Sequence, residues 1–348
     1  MAGDSFDAAG LAVKPVLEIE NLAIRFPTRA GLLHAARGVS FSLSKGETLA
    51  LVGESGCGKT SVGLAVMGLL PKHAVVSADR LEIAGTDIRG MSQSRLDRIR
   101  GSRVAMVFQN AMSALNPTLK VGTQLVEVMT RHTDCDARTA RARAISLLER
   151  MKVDRAAERL GHYPHQLSGG LRQRVMLAMA LMCRPEVIIA DEPTTALDVT
   201  VQAEVLALLK ELQQELGLAV IFITHDLGVV SYISHRVAVM YAGEVVETGP
   251  TPEVIDNPAH PYSGALLASV PRFIQGPAAP RLGVIPGAVP SVMHEVTSCV
   301  FLDRCTMAAD PCRRGPIDLD DAGLGRAVRC VRSPLRETSH PGTEGRTS

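Results

Sequence analysis

The sequence predicts an α/β fold in which crossover helices cover a largely parallel β-sheet. Four runs are almost wholly apolar, as is typical of strands buried on both faces of a parallel sheet: Val104–Phe108, Val187–Ala190, Ala219–Ile223 and Val237–Met240. Two earlier runs, Val16–Glu20 and Ser40–Leu43, alternate apolar and polar residues and predict half-exposed strands near a sheet edge. Between the buried runs lie helical patterns, of which Val201–Leu216 carries a single apolar stripe. This alternation predicts a layered α/β core.

The overall composition limits the classes of partner. The 348 residues are enough for one large or two medium domains. There are 37 basic and 36 acidic residues and no Trp, so neither bulk electrostatics nor stacking aromatics indicate a nucleic-acid partner. No apolar stretch reaches the roughly 18 residues that a membrane span needs. Residues 1–15 lack a basic-then-apolar signal pattern, and we expect them to form a flexible N-terminus.

A glycine-rich run follows the apolar stretch Leu49–Val52 and precedes the helix-compatible stretch Thr60–Leu70. It has the spacing G-x-x-x-x-G-K-[ST], and we name it the phosphate loop: Gly53, Glu54, Ser55, Gly56, Cys57, Gly58, Lys59 and Thr60, with Ser61 next in the helix. In a strand–loop–helix context the glycines let backbone N–H groups surround a phosphate. We expect Lys59 to reach the β- and γ-phosphates of ATP and Thr60 to bind Mg²⁺.

Polar residues stand at the ends of two later apolar runs, where parallel strands deliver side chains to the crevice beside the phosphate loop. Asp191 and Glu192 follow the run that ends at Ala190. We expect Asp191 in the Mg²⁺ shell and Glu192 as the base that polarises an attacking water. His225 follows the next run and can contact the γ-phosphate or that water. A helix N-cap role explains either acid alone, and a structural role explains an isolated His.

A second motif, Leu167-Ser168-Gly169-Gly170-Leu171-Arg172-Gln173-Arg174, opens the helical stretch Leu171–Met182. Small residues at a helix N-terminus make another anion site. Together with the phosphate loop, this run resembles the nucleotide-binding subunit of an ATP-binding-cassette (ABC) machine. The resemblance implies a P-loop NTPase fold, which is the ABC nucleotide-binding domain. That fold has a RecA-like parallel-sheet core, an antiparallel β subdomain and a helical insert.

The resemblance also implies roles for individual residues. The run Ser168–Gly170 would complete the ATP site of a facing subunit, so that ATP lies between two head-to-tail cassettes. Asp198 would cross that interface and couple the two sites. Gln109, which ends the run from Val104, would bind Mg²⁺ and sense the γ-phosphate. Phe26, upstream of the phosphate loop, is a candidate to stack on adenine, and a role as a core aromatic stays open.

Longer runs narrow the resemblance to the ATPase subunits of bacterial oligopeptide and dipeptide importers. These runs are Tyr163–Gly170, Ala190–Thr200, Thr224–Val230, Met112–Pro117 and His260–Tyr262. The family implies a second ABC ATPase subunit, by habit a paralogue, two membrane permease subunits and, indirectly, an extracytoplasmic substrate-binding protein. It also implies a peripheral location on the cytoplasmic face of the bacterial inner membrane.

Changes in composition and pattern, read together with the resemblance, divide the chain into four parts. The ABC nucleotide-binding domain is predicted at 16–258, after the flexible 1–15, with its helical insert at about 110–165. The insert would dock the membrane permeases. A C-terminal extension that contains clustered cysteines is predicted at 259–331, and a flexible tail at 332–348.

Other functions stay open at this point. Related importers carry nickel, glutathione or sugars, and nothing in this chain is expected to contact the solute. Non-transport ABC ATPases of DNA repair or translation usually have two cassettes or long coiled-coil insertions, and this chain shows neither. The Ser168–Gly170 run and His225 argue against a nucleotide switch or kinase. Because Lys59, Glu192 and the other motif residues are present, we expect a site that hydrolyses ATP rather than a degenerate, regulatory cassette.

Four of the seven cysteines lie close together in the C-terminal extension: Cys299, Cys305, Cys312 and Cys330. Four thiolates suit an iron–sulfur cluster or a tetrahedral zinc ion, but the spacing lacks the C-x₂-C pairs typical of structural zinc. Importer ATPases with four such cysteines can hold a [4Fe–4S] cluster, so the resemblance favours the cluster, with Zn²⁺ or no metal as alternatives. An odd number of cysteines and the absence of a signal pattern argue against disulfides.

Overall fold

The structure is a computed structural model that describes residues 14–109, 114–195, 197–269 and 283–335. Most of the predicted flexible N-terminus and most of the predicted tail lie outside these residues. Met112 and Ser113, which open the predicted run Met112–Pro117, also lie outside them. Among the described residues, no helix is both long enough and apolar enough to span a bilayer.

The strands lie in two sheets. In chain order they are β1 (Leu17–Thr28), β2 (Gly31–Leu43), β3 (Thr48–Val52), β4 (Val75–Ser77), β5 (Arg80–Ile83), β6 (Thr86–Asp87), β7 (Val104–Val107), β8 (Val187–Asp191), β9 (Ala219–Thr224), β10 (Arg236–Tyr241), β11 (Glu244–Pro250), β12 (Asp320–Gly323) and β13 (Arg326–Val328). An antiparallel sheet contains β1, β2, β4, β5 and β6. The central sheet has the order β12-β13-β11-β10-β3-β9-β8-β7. Its strands from β10 to β7 are parallel, and those from β10 to β12 are antiparallel.

The predicted parallel core is confirmed. Every residue of β3, β8 and β9 is buried, as expected for almost wholly apolar strands with both faces covered. The strands β1 and β2 are longer than predicted, at 12 and 13 residues. β1 continues past the predicted end at Glu20 through an irregularity. Asn21 takes a positive φ of 51°, and the pairing register shifts between Ile19 and Leu22. This irregularity breaks the apolar–polar alternation on which the prediction depends.

The helices are α1 (Lys59–Val66), α2 (Gln93–Ile99), α3 (Val121–His132), α4 (Ala137–Arg150), α5 (Ala156–Arg159), α6 (Gly169–Ala180), α7 (Val199–Leu216), α8 (Leu227–Ile233), α9 (Thr251–Asp256) and α10 (Pro261–Ala268). Helix α1 is shorter than the predicted Thr60–Leu70. It ends at Val66 because Gly68 takes a φ of +61°, the left-handed conformation with which glycine commonly terminates helices. Helices α3, α4 and α5 lie within the range predicted for the helical insert.

Two apolar clusters cover opposite faces of the central sheet. Along β8 the side chains alternate between them: Ile188 and Ala190 face a cluster that includes residues of α3, α4, α6 and α7. Val187 and Ile189 face a second cluster, which includes residues of α1 and of the antiparallel sheet. This period of two is the geometry of an extended strand. The sheet is therefore rigidly packed on both sides, which fixes the positions of its strand ends.

The C-terminal segment packs against the β10 side of the central sheet. β13 pairs with β11, and β12 pairs with β13. Tyr241 of β10, Tyr262 of α10 and Phe301 pack ring against ring, with centroids 4.7 to 5.3 Å apart. Edge and tilted aromatic contacts of this kind stabilise a core beyond the area they bury. They join α10 and the segment around Phe301 to the strand that neighbours β3.

Candidate nucleotide site

The C-terminal ends of four parallel strands lie level at one edge of the central sheet. In the register, Val52 of β3 is paired with Thr224 of β9, and Asp191 of β8 with Ile223 of β9. The residues that follow these strands therefore meet in one crevice, as the topology of an α/β sheet requires. They are the phosphate loop after β3, His225 after β9, Glu192 after β8 and Gln109 after β7.

The phosphate loop depends on glycine where it passes other backbone. Gly53 takes φ +151°, and a Cβ at this position would lie 2.2 Å from the Met240 carbonyl oxygen. Gly58 takes φ +106°, and its Cβ would lie 2.1 Å from the Ala35 carbonyl oxygen. The Gly243 N–H also donates to the Cys57 carbonyl at 3.0 Å. The loop is thus held between β2 and the turn after β10, with no room for side chains at these glycines.

Lys59 is folded back over the loop that precedes it. Its Nζ donates to the carbonyl oxygens of Gly53 at 2.8 Å and Glu54 at 3.0 Å, and the residue is 5% exposed. Cys57 is buried beneath it. Ser55, Gly56 and Thr60 are the exposed residues of the loop, and Ser61 lies in the first turn of α1. The ammonium group stands at the start of α1, where the helix end already favours anions.

Thr60 and Asp191 bring two oxygen atoms together beside the phosphate loop. The Thr60 hydroxyl donates to the Asp191 carboxylate at 3.1 Å, across two strand ends that the sequence separates by 131 positions. Hydroxyl and carboxylate oxygens are the hard ligands that Mg²⁺ prefers. Burial raises the pKa of Asp191, and the hydrogen bond from Thr60 offsets part of this increase. The pair fits the Mg²⁺ role that the sequence predicts for both residues.

Glu192 stands at the centre of a hydrogen-bonded group. Its carboxylate accepts from Gln109 Nε2 at 2.8 Å and from the Thr195 hydroxyl at 3.1 Å, and it contacts His225 Nδ1 at 3.0 Å. The residue takes φ +45°, an uncommon conformation for a side chain other than glycine, and its N–H donates to the Ile223 carbonyl at 2.9 Å. Such backbone strain clusters at functional sites. Three residues proposed from separate strand ends are therefore in direct contact.

The environment keeps Glu192 ionised. Burial by itself raises the pKa of the carboxyl group, but the hydrogen bond and charge of His225, the hydrogen bond from Thr195 and the charge of Lys59 together outweigh burial, and the net pKa lies below its ordinary value. The Glu192 side chain is 13% exposed, whereas that of His225 is 51% exposed. A carboxylate that stays ionised at neutral pH is able to orient a water and accept its proton.

The motif residues Ser168–Gly170 lie at the start of α6, beside the start of α7. Ser168 is the N-cap of α6 and accepts from the Leu171 N–H at 3.4 Å, while Asp198 is the N-cap of α7 and accepts from the Val201 N–H at 3.0 Å. A Cβ on Gly170 would lie 2.7 Å from Val201 Cγ1, so the two helix ends are tightly packed. Within the described ranges, no hydrogen bond or ion pair joins these residues to the phosphate loop. The structure therefore brings Ser168–Gly170 and Asp198 together on a surface that is separate from the phosphate loop of the same chain.

Phe26 lies on β1 in the antiparallel sheet. Its ring is half-buried and meets the ring of His73 edge to face, with centroids 6.3 Å apart. It also packs against the apolar cluster of α1 and the antiparallel sheet. Its predicted role in stacking on adenine stays a prediction.

The sequence did not single out three residues that contact the site. Thr195 donates to Glu192, Tyr262 accepts from the Glu54 N–H at 2.9 Å, and Arg304 forms an ion pair with Glu54 at 2.7 Å. Tyr262 belongs to the predicted run His260–Tyr262, to which no role was assigned. Arg304 is 250 positions from Glu54, so no local pattern predicts the contact.

The four clustered cysteines line one pocket of the C-terminal segment, together with His260 and Phe301: they are Cys299, Cys305, Cys312 and Cys330. The Cys299 N–H donates to the Cys312 carbonyl at 2.9 Å, which closes the segment on itself. Burial raises the pKa of the Cys299 and Cys305 thiols, and it raises that of Cys330 to about 11. Among the residues that the structure describes, no group of three or more His, Cys, Asp or Glu side chains is arranged to hold a metal ion.

Comparisons with known proteins agree with this arrangement. A family model described as ABC transporter matches residues 36–195, and one described as the C-terminal region of oligopeptide/dipeptide transporters matches residues 246–312. The oligopeptide transport ATP-binding protein OppD of Haemophilus influenzae is 44% identical over 304 residues, which are 87% of this chain and 93% of that protein. This chain belongs to the oligopeptide/dipeptide family of ABC transporter ATPases. The dipeptide transport ATP-binding protein DppD of Bacillus subtilis is 46% identical over 303 residues, 87% of this chain and 90% of that protein.

Solved structures of ABC cassettes have the same fold. A dimeric post-hydrolysis structure of the ATP-binding cassette MJ0796, bound to ADP and Pi, is 26% identical with a TM-score of 0.59, and the match covers 68% of this chain and 98% of that chain. The predicted ABC ATPase fold is confirmed, and the chain is a transport ATPase that uses ATP and Mg²⁺. ABC ATPases of peptide importers work as dimeric cassettes with membrane permeases.

Replacing Asp191 with asparagine is expected to stabilise the nucleotide-free ABC ATPase and to remove the effect of Mg²⁺ on ATP binding. The pKa of Asp191 is raised by burial, so the folded protein binds this proton more tightly than the unfolded chain. When folding raises the pKa of an acid, its protonated form favours the folded state. This contribution to stability is fully present below the pKa of the acid in the unfolded chain, and it is lost as the pH rises through the pKa in the folded protein. At neutral pH the ionised carboxylate is therefore unfavourable, and a neutral amide relieves this.

Thermal unfolding at neutral pH tests this expectation. Without ligand, Asp191→Asn should unfold at a higher temperature than the parent. Adding Mg²⁺ to ATP should raise the midpoint of the parent but not that of Asp191→Asn. Asp226→Asn is the matched control, because Asp226 is an exposed acid beside His225 and asparagine is an equally good N-cap. No gain in stability for Asp191→Asn, or an unchanged response to Mg²⁺, contradicts the assignment.

Proposed function

We propose that this ABC ATPase drives the import of peptides across the bacterial cytoplasmic membrane. The observation that carries the proposal is identity of 44–46% over 87% of the chain with oligopeptide and dipeptide transport ATP-binding proteins. The match of residues 246–312 to the C-terminal region of the same transporters supports it. In this proposal, Glu192 polarises the attacking water, His225 and Gln109 orient it at the γ-phosphate, and Thr60, Asp191 and Gln109 contribute to the Mg²⁺ site.

We propose that ATP is bound between two head-to-tail cassettes. The run Ser168–Gly170 and Asp198 form a surface apart from the phosphate loop of their own chain, which supports a role toward a facing subunit. A helix N-terminus with small residues provides N–H donors for the γ-phosphate of the ATP that is bound to the phosphate loop of the facing subunit. The partner is proposed to be a paralogous ATPase, and Phe26 is proposed to stack on adenine.

The chain is proposed to sit on the cytoplasmic face of the membrane, bound to two permease subunits. A groove of about 370 Å³ between α3 and α6 supports this docking; its lining includes Leu119, Glu127, Arg131 and Met179. Gln124 shapes the groove, because its side chain donates to the carbonyls of Asn116 and Leu119 and accepts from the Asn116 N–H. An extracytoplasmic substrate-binding protein would deliver the peptide to the permeases.

Uptake of labelled peptides by cells of the organism that carries this gene tests the proposed function. We expect a chromosomal Glu192→Gln allele to abolish uptake of the transported peptides, and a series of di-, tri- and longer peptides to define their length. The matched control is Glu186→Gln, which neutralises an exposed glutamate before β8 that pairs with Arg103. Labelled nickel, glutathione and sugars are tested in the same strains.

Each outcome of the uptake assay decides between functions. Loss of peptide uptake in the Glu192→Gln strain alone supports peptide import. Unchanged peptide uptake with loss of nickel, glutathione or sugar uptake overturns the peptide substrate while leaving a transport role. Unchanged uptake of every solute, with the altered protein absent from membranes, favours a non-transport ATPase.

We further propose that the four clustered cysteines hold a [4Fe–4S] cluster. Support comes from the pocket that all four line, since four cysteine sulfurs are the donor set of such a cluster. Because the described residues include no group of three side chains already arranged for a metal ion, cluster binding must draw these sulfurs together. When bound, the cluster would join chain segments that have little apolar core of their own. The raised pKa values of Cys299, Cys305 and Cys330 mean that ligation must release protons, as metal binding by thiols does.

Metal analysis of the anaerobically purified chain tests the cluster. We expect about four iron and four sulfide per chain, and their loss in Cys312→Ser. Cys135→Ser is the control, because Cys135 lies on the segment between α3 and α4, away from this pocket. Finding one zinc ion per chain and no sulfide would contradict the cluster and support the zinc alternative. Neither metal would leave four plain thiols.

A further inference from the structure

Glu54 in the phosphate loop is held from outside the loop. Its carboxylate accepts two hydrogen bonds from Arg304, at 2.7 Å from Nη1 to Oε2 and 3.0 Å from Nη2 to Oε1. Its backbone N–H donates to the Tyr262 hydroxyl at 2.9 Å. Its carbonyl accepts from Lys59 Nζ at 3.0 Å. The side chain, amide and carbonyl of this residue are thus all engaged, and two of the partners come from the C-terminal part of the chain.

Arg304 is itself fixed in orientation. Its Nε donates to the Pro286 carbonyl at 2.7 Å, Nη2 contacts the Ile285 carbonyl at 3.3 Å and Nη1 contacts the Tyr241 hydroxyl at 3.3 Å. The side chain is 6% exposed. A planar guanidinium with donors engaged on several sides cannot rotate without breaking hydrogen bonds. Arg304 therefore presents a rigid fork to Glu54.

Tyr262 is fixed by the start of α10. His260 is the N-cap of this helix, and its Nδ1 accepts from the Tyr262 N–H at 3.0 Å. Burial lowers the pKa of His260 to about 3, so the imidazole is neutral and Nδ1 is free to accept. The Glu247 carboxylate accepts from the His260 N–H at 2.9 Å and anchors the same turn. Tyr262 is fully buried, and its hydroxyl is the end that meets the phosphate loop.

We propose that Arg304 and Tyr262 are positioning residues for ATP, which keep Glu54 and the phosphate loop in the shape that receives the phosphates. Glu54 places a negative charge in a loop that must bind a polyanion, and Arg304 balances that charge. When Lys59 turns to the phosphates it leaves the Glu54 carbonyl, so the contacts with Arg304 and Tyr262 continue to hold the residue. Because the Tyr262 hydroxyl occupies the Glu54 N–H, the phosphates are bound by the other N–H groups of the loop.

A double-substitution experiment tests the charge balance. ATP binding to the full-length chain is measured by calorimetric titration, with unfolding temperature as a parallel readout. Arg304→Gln is expected to weaken ATP affinity about tenfold, because Glu54 is left without its partner. Adding Glu54→Gln to that variant is expected to restore the affinity to within about threefold of the parent, because it removes the unbalanced charge. A purely structural role for Arg304 predicts no such recovery.

Arg236→Gln is the matched control. Arg236 pairs with Glu47 at 2.9 Å, just before β3, whereas Glu54 lies just after β3. It is expected to change the unfolding temperature without changing ATP affinity. Unchanged affinity in folded Arg304→Gln, an equal loss in Arg236→Gln, or a double variant weaker than Arg304→Gln overturns the proposal for Arg304.

Tyr262→Phe provides a second test that removes a single oxygen atom. The aromatic core is kept, and the Glu54 N–H loses its acceptor. We expect ATP affinity to fall by about threefold to tenfold, and in the assembled transporter the KM for ATP to rise with kcat nearly unchanged. A normal KM in the folded variant overturns the role of Tyr262. The inference concerns ATP alone, so it stands or falls independently of the transported solute.

Discussion

Replacing Glu192 with glutamine is expected to slow ATP hydrolysis by about a hundredfold to ten-thousandfold, the usual contribution of a positioned general base. Glutamine has the shape of glutamate but cannot accept the proton of the attacking water. ATP binding should persist, because the contacts of Lys59, Thr60 and Asp191 do not involve Glu192. The expected state is therefore a cassette that binds ATP and does not release it by hydrolysis.

The surroundings of Glu192 make this substitution informative. Gln109 and Thr195 donate to its carboxylate, and an amide at position 192 would retain one acceptor oxygen for them. His225 would lose the carboxylate that favours its contact at 3.0 Å. The fold should change little, since the Glu192 N–H remains bonded to the Ile223 carbonyl.

Phosphate release and ATP binding are measured on the assembled transporter. Glu186→Gln is the control, because it removes an exposed carboxylate at the other end of β8 and should hydrolyse ATP at the parental rate. Hydrolysis at the parental rate by Glu192→Gln would show that the base is another group. Loss of ATP binding together with hydrolysis would also contradict the assignment, because it would mean that Glu192 shapes the nucleotide site.

Replacing Gly58 with alanine is expected to destabilise the nucleotide-free protein by roughly 3–5 kcal/mol, from the positive φ and from overlap with packed backbone. Gly58 takes φ +106°, and an added Cβ would lie 2.1 Å from the Ala35 carbonyl oxygen of β2. Ala35 lies at a register shift of the β1–β2 pair, between Ala36 and His34, which are paired with Ile24 and Arg25, so its carbonyl cannot move far without disturbing these pairs. The loop and the start of α1 must shift instead, so ATP affinity should fall as well.

Gly56→Ala separates the two causes of this loss. Gly56 also takes a positive φ, +83°, but a Cβ there would meet nothing within 4 Å. Only the conformational cost applies, about 1–2 kcal/mol. Urea unfolding of the two variants and the parent without nucleotide gives the comparison. Equal losses at both positions would mean that contact with Ala35 contributes nothing.

The sequence predicted the central sheet because its strands are buried on both faces. Four apolar runs were placed to within one or two residues. A polar residue follows three of them near the strand end, namely Gln109, Asp191 and Thr224, and the fourth is followed by Tyr241, the last residue of β10. The end of β1 was missed, because the irregularity at Asn21 interrupts the alternation on which such predictions depend. The end of β2 at Leu43 was predicted, but its start at Gly31 was missed. The end of α1 was missed because a glycine at position 68 is compatible with a continuing helix as well as with its termination.

The site was predictable to the extent that its residues lie in local motifs. Strand order then brought Gln109, Glu192 and His225 together, and the predicted residues are in hydrogen-bond contact. Thr195 was not predicted, because a hydroxyl three residues after Glu192 has many other possible partners. The assignments of Phe26, Ser168–Gly170 and Asp198 remain predictions, because they concern the nucleotide and a facing subunit.

The sequence by itself determined the motifs of this protein: the phosphate loop, the carboxylates of Asp191 and Glu192 at the C-terminal end of β8, and the family to which the chain belongs. These features are encoded over short stretches, because backbone geometry fixes which residues a phosphate or Mg²⁺ requires. Only the tertiary structure decided what holds the loop in place. Arg304 and Tyr262 reach Glu54 across 250 and 208 positions, and such contacts depend on how the C-terminal segment packs against β10. Packing of distant segments leaves no periodic trace in the sequence, so the spacing of residues alone could not predict it.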